Sequence, residues 1–317
     1  MNSSIIMTDN LCKNFGSLKA VDNLSINVPR GKVFGFLGPN GAGKTTSLKM
    51  MVGLLNPTSG TVTINDKKLG KARQNGKREL GMIPQEIVIW DDLTVQENME
   101  YVASLYRLPA DQAKTNIDSL IKEIHLEDKR HDLAKNLSGG LKRRLNIIMG
   151  LVHDPEIIVC DEPTPGLDPQ SRALVWDFIR DLSQKYGKTV ILTTHFMEEA
   201  DRLSDIVAIM DHGKLLVVDT PENLRQSIGE GDLVEIHLND DNLLDEAYTK
   251  LQDHKSVLDL KLVSDMLQLR CLNAPSKLAS IFNRIEEIEG LVVKDVKIRN
   301  ATLEDVFIHL TGRELRE

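Results

Sequence analysis

The chain has 317 residues, room for one large domain and a smaller one, each able to bury a core. Hydrophobic residues make up 41% and charged residues 27%, an ordinary balance for a soluble globular protein. The formal net charge of −8 argues against nucleic acid as the main partner, and no apolar run reaches the roughly 20 residues that a membrane-spanning helix needs.

The N-terminus lacks a basic start ahead of an apolar stretch, so no signal peptide is expected. Cys12, Cys160 and Cys271 are odd in number and far apart, which suits reduced core residues in a reducing compartment. Residues 5–11 and 24–28 alternate as short strands about a turn at Asn14-Phe15-Gly16. The apolar run 33–37 reads as a buried strand, and Leu48, Met51, Val52 and Leu55 carry a helical spacing. Between them lies Gly38-Pro39-Asn40-Gly41-Ala42-Gly43-Lys44-Thr45-Thr46, the pattern GxxxxGK[ST]. Strand, glycine-rich turn and helix in that order aim backbone N–H groups and a helix N-terminus at one point, a site for phosphate. Lys44 then reaches the β- and γ-phosphates of a nucleoside triphosphate, and the Thr45 hydroxyl ligates Mg²⁺.

A turn at Thr58-Ser59-Gly60 leads into a strand over 61–65, and 66–80 is a polar, lysine-rich connection. The strand 81–85 ends at Gln85, which either touches Mg²⁺ and the attacking water or caps a turn. Thr94 with Glu97 three residues on forms a capping box, Leu108-Pro109 breaks that helix, and 113–124 forms another. Leu137-Ser138-Gly139-Gly140-Leu141 opens a helix over 142–152, and a serine with two glycines at a helix start offers a second anion site. The strand 157–160 ends in Asp161-Glu162-Pro163. An aspartate there can hold Mg²⁺, and the glutamate beside it can take a proton from water, unless the pair is a solvated acidic turn.

A helix over 171–186 and a strand over 189–193 follow, with His195 just past the strand where it can contact a γ-phosphate. Residues 197–203 are helical, and 206–210 with 215–218 flank a hairpin turn at Asp211-His212-Gly213. Strands alternating with helices predict a mostly parallel sheet covered on both faces, with the phosphate site at the strands' C-terminal ends. Past Ile228-Gly229-Glu230-Gly231 the pattern becomes strand 233–238, helix 243–251, and a hairpin of 257–263 with 266–271 about Ser264-Asp265. Helix 276–288, strand 291–298 and helix 302–310 complete a small ferredoxin-like α+β unit. Acidic residues outnumber basic ones from 231 to 317, so that unit is no electrostatic nucleic-acid binder.

Taken together, these motifs resemble those of ATP-binding-cassette (ABC) transporter ATPase subunits. In order, the chain has the Walker A loop at 38–45, Gln85, the LSGG signature at 137–140, the Walker B strand with Glu162 at 157–162, Gly166-Leu167-Asp168 and His195. The resemblance implies an α/β P-loop NTPase with a RecA-like core, an antiparallel β subdomain and a helical subdomain at about 86–155, spanning 5–228, followed by an accessory unit at 231–317. It implies ATP and Mg²⁺ as cofactors. Gly38, Pro39, Asn40, Gly41, Ala42, Gly43, Lys44, Thr45 and Thr46 hold phosphate, Phe15 stacks on adenine, and Thr45, Gln85 and Asp161 hold the metal. Glu162, His195 and Gln85 carry hydrolysis. Ser138, Gly139, Gly140 and Asp168 close on ATP held by a second copy or a homologous subunit, head to tail. The same resemblance implies integral-membrane permease partners received near Gln85 and 86–106, and a peripheral place on the cytoplasmic face of the membrane.

Three positions depart from the family pattern: Phe15 where tyrosine is commoner, Leu141 where glutamine is usual, and Pro165 where a small polar residue is commoner. The ending Ala301–Gly312 is similar to the drug and antibiotic exporter branch, with daunorubicin-resistance ATPases as the type, so export is expected. Chromosome and DNA-repair ATPases share the signature but interpose long heptad coiled coils, and none occurs here. Translation-associated proteins of the family carry two cassettes in one chain. A soluble regulatory ATPase without a transport role is the remaining alternative.

Overall fold

The computed structural model describes residues 4–69, 79–229, 231–263 and 265–312. Most of the lysine-rich connection expected over 66–80, and Ser264 of the expected hairpin turn, lie outside the described residues. The chain divides into two compact units between Pro221 and Glu222.

The first unit opens with β1 (Ser4–Phe15) and β2 (Leu18–Pro29), followed by β3 (Val33–Leu37), α1 (Lys44–Met51), β4 (Ser59–Ile64) and β5 (Lys67–Lys68). β1 and β2 run further than the alternation suggested. The ladder bulges instead of ending, at register shifts beside Asn10 and Asn23, which both take left-handed φ. Asparagine tolerates that conformation better than most residues with a side chain. The true turn falls at Gly16 and Ser17. These strands form an antiparallel sheet in the order β2-β1-β4-β5.

Next come β6 (Leu80–Ile83), α2 (Val95–Leu105), α3 (Ala110–Glu123), α4 (Gly139–Met149), β7 (Ile157–Asp161) and α5 (Pro169–Gln184). β8 (Thr189–Thr194), α6 (Met197–Leu203), β9 (Ile206–Asp211) and β10 (Lys214–Asp219) follow. The Thr94–Glu97 capping box forms at the start of α2. α4 begins three residues ahead of its expected start because the Ser138 hydroxyl accepts from Leu141 N, which draws both glycines into the first turn. Asp168 caps α5 in the same way, ahead of Pro169 at the first helical position.

The central sheet has the order β10-β9-β3-β8-β7-β6, parallel throughout except for the β9–β10 hairpin. Alternate residues of each strand enter opposite cores. Phe34, Phe36, Val159 and Ile191 pack toward α1 and the antiparallel sheet, while Ile158, Cys160, Val190 and Leu192 pack toward α2–α5. Each such side chain contributes about 1.5–3 kcal/mol of burial. Sheet and helices therefore hold the strand ends rigidly, and every motif of the P-loop class emerges at that C-terminal edge.

The second unit opens with α7 (Pro221–Ser227), which starts at the division, and contains β11 (Asp232–Leu238), α8 (Leu244–Gln252), β12 (Asp259–Val263), β13 (Met266–Cys271), α9 (Leu278–Glu286), β14 (Val293–Arg299) and α10 (Leu303–Thr311). Its antiparallel sheet runs β12-β13-β11-β14, the order of a ferredoxin-like fold, with α8 and α9 packed on one apolar core. Among the described residues no helix is long and apolar enough to cross a membrane.

Candidate functional site

Gly41 and Gly43 of the loop between β3 and α1 take left-handed φ of 81° and 95°. A side chain at Gly43 would collide with Ala20 O, and one at Gly38 with Met210 O, so glycine alone fits both positions. The loop lines a cleft of about 600 Å³ together with Phe15, Leu18, Lys19, Gln85, Glu162 and His212. Lys44 is buried beneath it, its ammonium donating to Gly38 O at 2.8 Å and Pro39 O at 3.0 Å. Burial pushes this lysine below its ordinary value, against the pull of Glu162 and Asp161, which favour the charged form.

The carboxylates at the end of β7 face the same loop. Asp161 Oδ1 accepts from Thr45 Oγ1 and from Thr193 Oγ1, both at 2.7 Å. Glu162 Oε1 lies 3.8 Å from Lys44 Nζ and 3.3 Å from His195 Nδ1, and Glu162 Oε2 accepts from Gln85 Nε2 at 3.1 Å. The His195 contact lacks hydrogen-bond geometry, so that nitrogen is an orphaned buried polar atom pointing into the cluster. Glu162 itself has φ of 46°, an uncommon conformation for a residue with a side chain. Its N–H is fixed by both oxygens of Thr193, main chain and hydroxyl, at 3.1 Å each.

Gln85 stands two residues beyond the end of β6, not in the strand. Phe15 is half-exposed at the cleft rim with the Lys13 ammonium 5.1 Å from its ring centroid. The fold thus brings together the loop 38–46, Phe15, Gln85, Asp161, Glu162 and His195. It does not bring Ser138, Gly139, Gly140 or Asp168 to that cleft: these sit exposed or half-exposed at the starts of α4 and α5. Hydrogen bonds from Ser171 and neighbouring backbone hold the Asp168 carboxyl below the usual range.

Among the described residues, no group of three or more His, Cys, Asp or Glu side chains could hold a metal by itself. One carboxylate, one threonine hydroxyl and one amide fit a hard cation that takes the rest of its oxygens from phosphate, as Mg²⁺ does.

The family profile for ABC transporters matches residues 21–165. The Nod factor export ATP-binding protein I of Ralstonia nicotianae is 35% identical over 317 residues, covering 100% of this chain and 96% of that protein. The chain belongs to the ABC transporter ATP-binding family. The daunorubicin resistance ATP-binding protein DrrA3 of Streptomyces coeruleorubidus is another relative, 34% identical over 100% of this chain and 98% of its own. A dimeric structure of the ATP-binding cassette MJ0796, in a post-hydrolysis state bound to ADP and Pi, superimposes with a TM-score of 0.62 at 25% identity. It covers 68% of this chain and 98% of that one. As a member of this family the chain binds ATP and is an ATPase.

Two contributors escaped the sequence reading. Thr193 looked like one more residue of an apolar strand, yet it holds both carboxylate residues. Arg143 sits in the basic run Lys142-Arg143-Arg144. It is buried, and it donates to Pro84 O, Gln85 O, Glu162 O and Pro163 O. The available signal was phase: Arg143 lies three and four residues before Asn146 and Ile147, on the buried side of α4.

Proposed function

We propose that this chain is the ATP-hydrolysing subunit of a membrane exporter, and that two subunits, head to tail, drive a permease. The observation that carries the site assignment is the convergence of Lys44, Gln85, Asp161, Glu162 and His195 on the P-loop cleft. The loop amides and Lys44 bind the phosphates, with the Lys44 ammonium exchanging its two carbonyl partners for phosphate oxygens. Phe15 supports the base. Thr45, Gln85 and Asp161 would hold Mg²⁺, which would supply charge neutralisation on the phosphates. Glu162 takes the proton of the attacking water as its oxygen bonds to the γ-phosphorus and the bond to the β-phosphate bridging oxygen breaks, leaving ADP and phosphate. His195, beside Glu162, orients the γ-phosphate.

Ser138, Gly139, Gly140 and Asp168 lie outside the cleft and remain available to close on nucleotide held by a second subunit. The dimeric state of the MJ0796 cassette supports that pairing. The exposed apolar side chains of Ile87, Val88, Trp90, Tyr101 and Leu105 support the 86–106 region as the permease-facing surface. Docking there places the subunit on the cytoplasmic face of the membrane. Residues 231–317 form an accessory unit. Relatives named for Nod factor export and daunorubicin resistance support export over the regulatory and translation-associated readings.

Glu162→Gln tests the assignment, because it keeps shape and removes the base. It is expected to bind ATP as the parent does, to lose hydrolysis by roughly 100-fold or more, and to accumulate as an ATP-dependent dimer on gel filtration. Normal turnover in this variant would show that another group takes the proton.

A further inference from the structure

Arg143 is 3% exposed, and among the described residues its guanidinium pairs with no carboxylate. Nε donates to Pro163 O at 2.7 Å, one terminal nitrogen donates to Pro84 O at 2.9 Å and Gln85 O at 2.8 Å, and the other donates to Glu162 O. Four carbonyls from two separate loops are thus gathered on one rigid plane. Burying a charge this way costs several kcal/mol unless its donors are matched, so the arrangement calls for a reason beyond packing.

Two features supply one. First, the bonded carbonyls belong to or adjoin Gln85 and Glu162, whose side chains hydrogen-bond each other in the cleft. Glu162 is held at a left-handed φ, and such a conformation persists only where its surroundings over-determine it. Thr193 fixes its N–H; Arg143 fixes its C=O. Second, Arg143 rides on α4, whose N-cap is Ser138. A helix moves as a rigid body, so any displacement of its Ser138 end is delivered to the guanidinium, and from there to both loops.

From this geometry we infer that Arg143 is a positioning residue: it locks the Gln85 loop and the Glu162 turn to the signature helix, so that the base is aligned only when that helix is seated. The inference rests on the reading of Glu162 as the base. A lysine cannot reproduce the link, because a point ammonium on a flexible stem lacks the planar fork that spans two loops.

The test uses the full chain and compares Arg143→Met and Arg143→Lys with the parent for kcat, KM for ATP and thermal unfolding. Arg143→Met is expected to lower kcat on the order of 10–100-fold with KM within about twofold, the pattern of a group that acts after binding. Arg143→Lys is expected to remain folded at the parent's temperature and still lose on the order of tenfold in kcat. A double-mutant cycle with Gln85→Ala separates positioning from bulk stability. If Arg143 works through Gln85 and Glu162, Gln85→Ala costs far less in the Arg143→Met background than alone. Multiplicative losses, full kcat in Arg143→Lys, or a rise in KM at unchanged kcat would each overturn the inference. Normal turnover by Glu162→Gln would instead remove the reading beneath it, a failure visible without any Arg143 variant.

Discussion

The two units of this chain treat polar groups in opposite ways. Around the cleft the first unit buries Lys44, Arg143, Asp161, Glu162 and Thr193, and pairs them with one another or with backbone carbonyls. In the second unit, Arg270 is the one charged or polar residue fully buried among the described residues; its core is Val234, Ile236, Leu267, Leu269, Ile281 and similar side chains. Its polar groups work at the surface, as in the capping box of Thr302 and Asp305 and the fork from Arg299 to Asp305. Buried charge destabilises unless matched, so a fold tolerates it where chemistry demands it. By that criterion the first unit carries a strained, working site and the second is a conventional packed module.

The largest expected effect that separates them is at Lys44. Burial already disfavours its charge, and its partners are two carbonyls and a carboxylate 3.8 Å away. Lys44→Met is expected to weaken ATP binding by more than about tenfold, the loss of one or more charge-assisted hydrogen bonds at about 1.5–3 kcal/mol each. Stability toward urea should hold or rise, since a methionine fills the space without a charge. Calorimetry and a urea melt read both quantities. Unchanged ATP affinity would break the P-loop assignment, and a large fall in stability would show that Lys44 is a structural ion and that the contrast between units is misdrawn.

Much of this contrast was legible in the sequence, and the limits have physical causes. The P-loop, the Asp161-Glu162 pair and the Thr94 capping box are short-range patterns, in which spacing alone sets which atoms meet. The parallel sheet and the ferredoxin-like order followed from hydrophobic period and element order. β1 and β2 reach beyond the run of alternation because the ladder between them carries through bulges beside Asn10 and Asn23, and a bulge breaks the period of two without ending the strand. Arg143 was missed because its partners lie 19 to 59 residues away, and local sequence shows only a basic run at a helix start. The left-handed Glu162 has no sequence signature, for it is imposed by Thr193 across the sheet and by Arg143 from α4.

A smaller effect is expected in the second unit. Asp305 caps α10 through Thr302 and takes both terminal nitrogens of Arg299, at 2.6 and 2.9 Å, while Arg299 also reaches Glu235. Burial opposes the charge of Asp305, but Arg299 and Thr302 outweigh it and hold this carboxyl below its usual value. A carboxyl with a depressed folded pKa adds stability above its unfolded pKa, near 3.8, and loses it as pH falls through the folded value. Asp305→Ala is expected to cost about 2 kcal/mol, a cap plus an ion pair discounted because Arg299 is partly exposed. Hydrogen exchange should quicken at β14 and α10, with ATP affinity unchanged. Loss of ATP binding alongside would mean that the second unit supports the cleft and is no independent module.

The finest test of the contrast, read as a slope with pH, is at Glu199 in α6. Its Oε1 accepts from Thr164 Oγ1 at 2.7 Å and Trp176 Nε1 at 3.0 Å, and its Oε2 makes no hydrogen bond among the described residues. Burial raises this carboxyl above its ordinary value, against Thr194, Thr164, Trp176 and His195, which favour the charged form. The sign is the reverse of Asp305. A raised folded pKa contributes stability that is fully present below the unfolded pKa, near 4.5, and is lost as pH climbs through the folded value. Glu199→Gln imitates the protonated form and keeps an acceptor for Thr164 and Trp176. The variant should therefore match the parent near pH 4.5 and be the more stable of the two at pH 8, with the gap opening as pH rises. Chemical denaturation of both proteins across that range gives the difference directly. A gap that stays flat with pH would mean that Glu199 is ionised at no cost, and that the first unit carries its buried carboxylates outside the cleft as easily as within it.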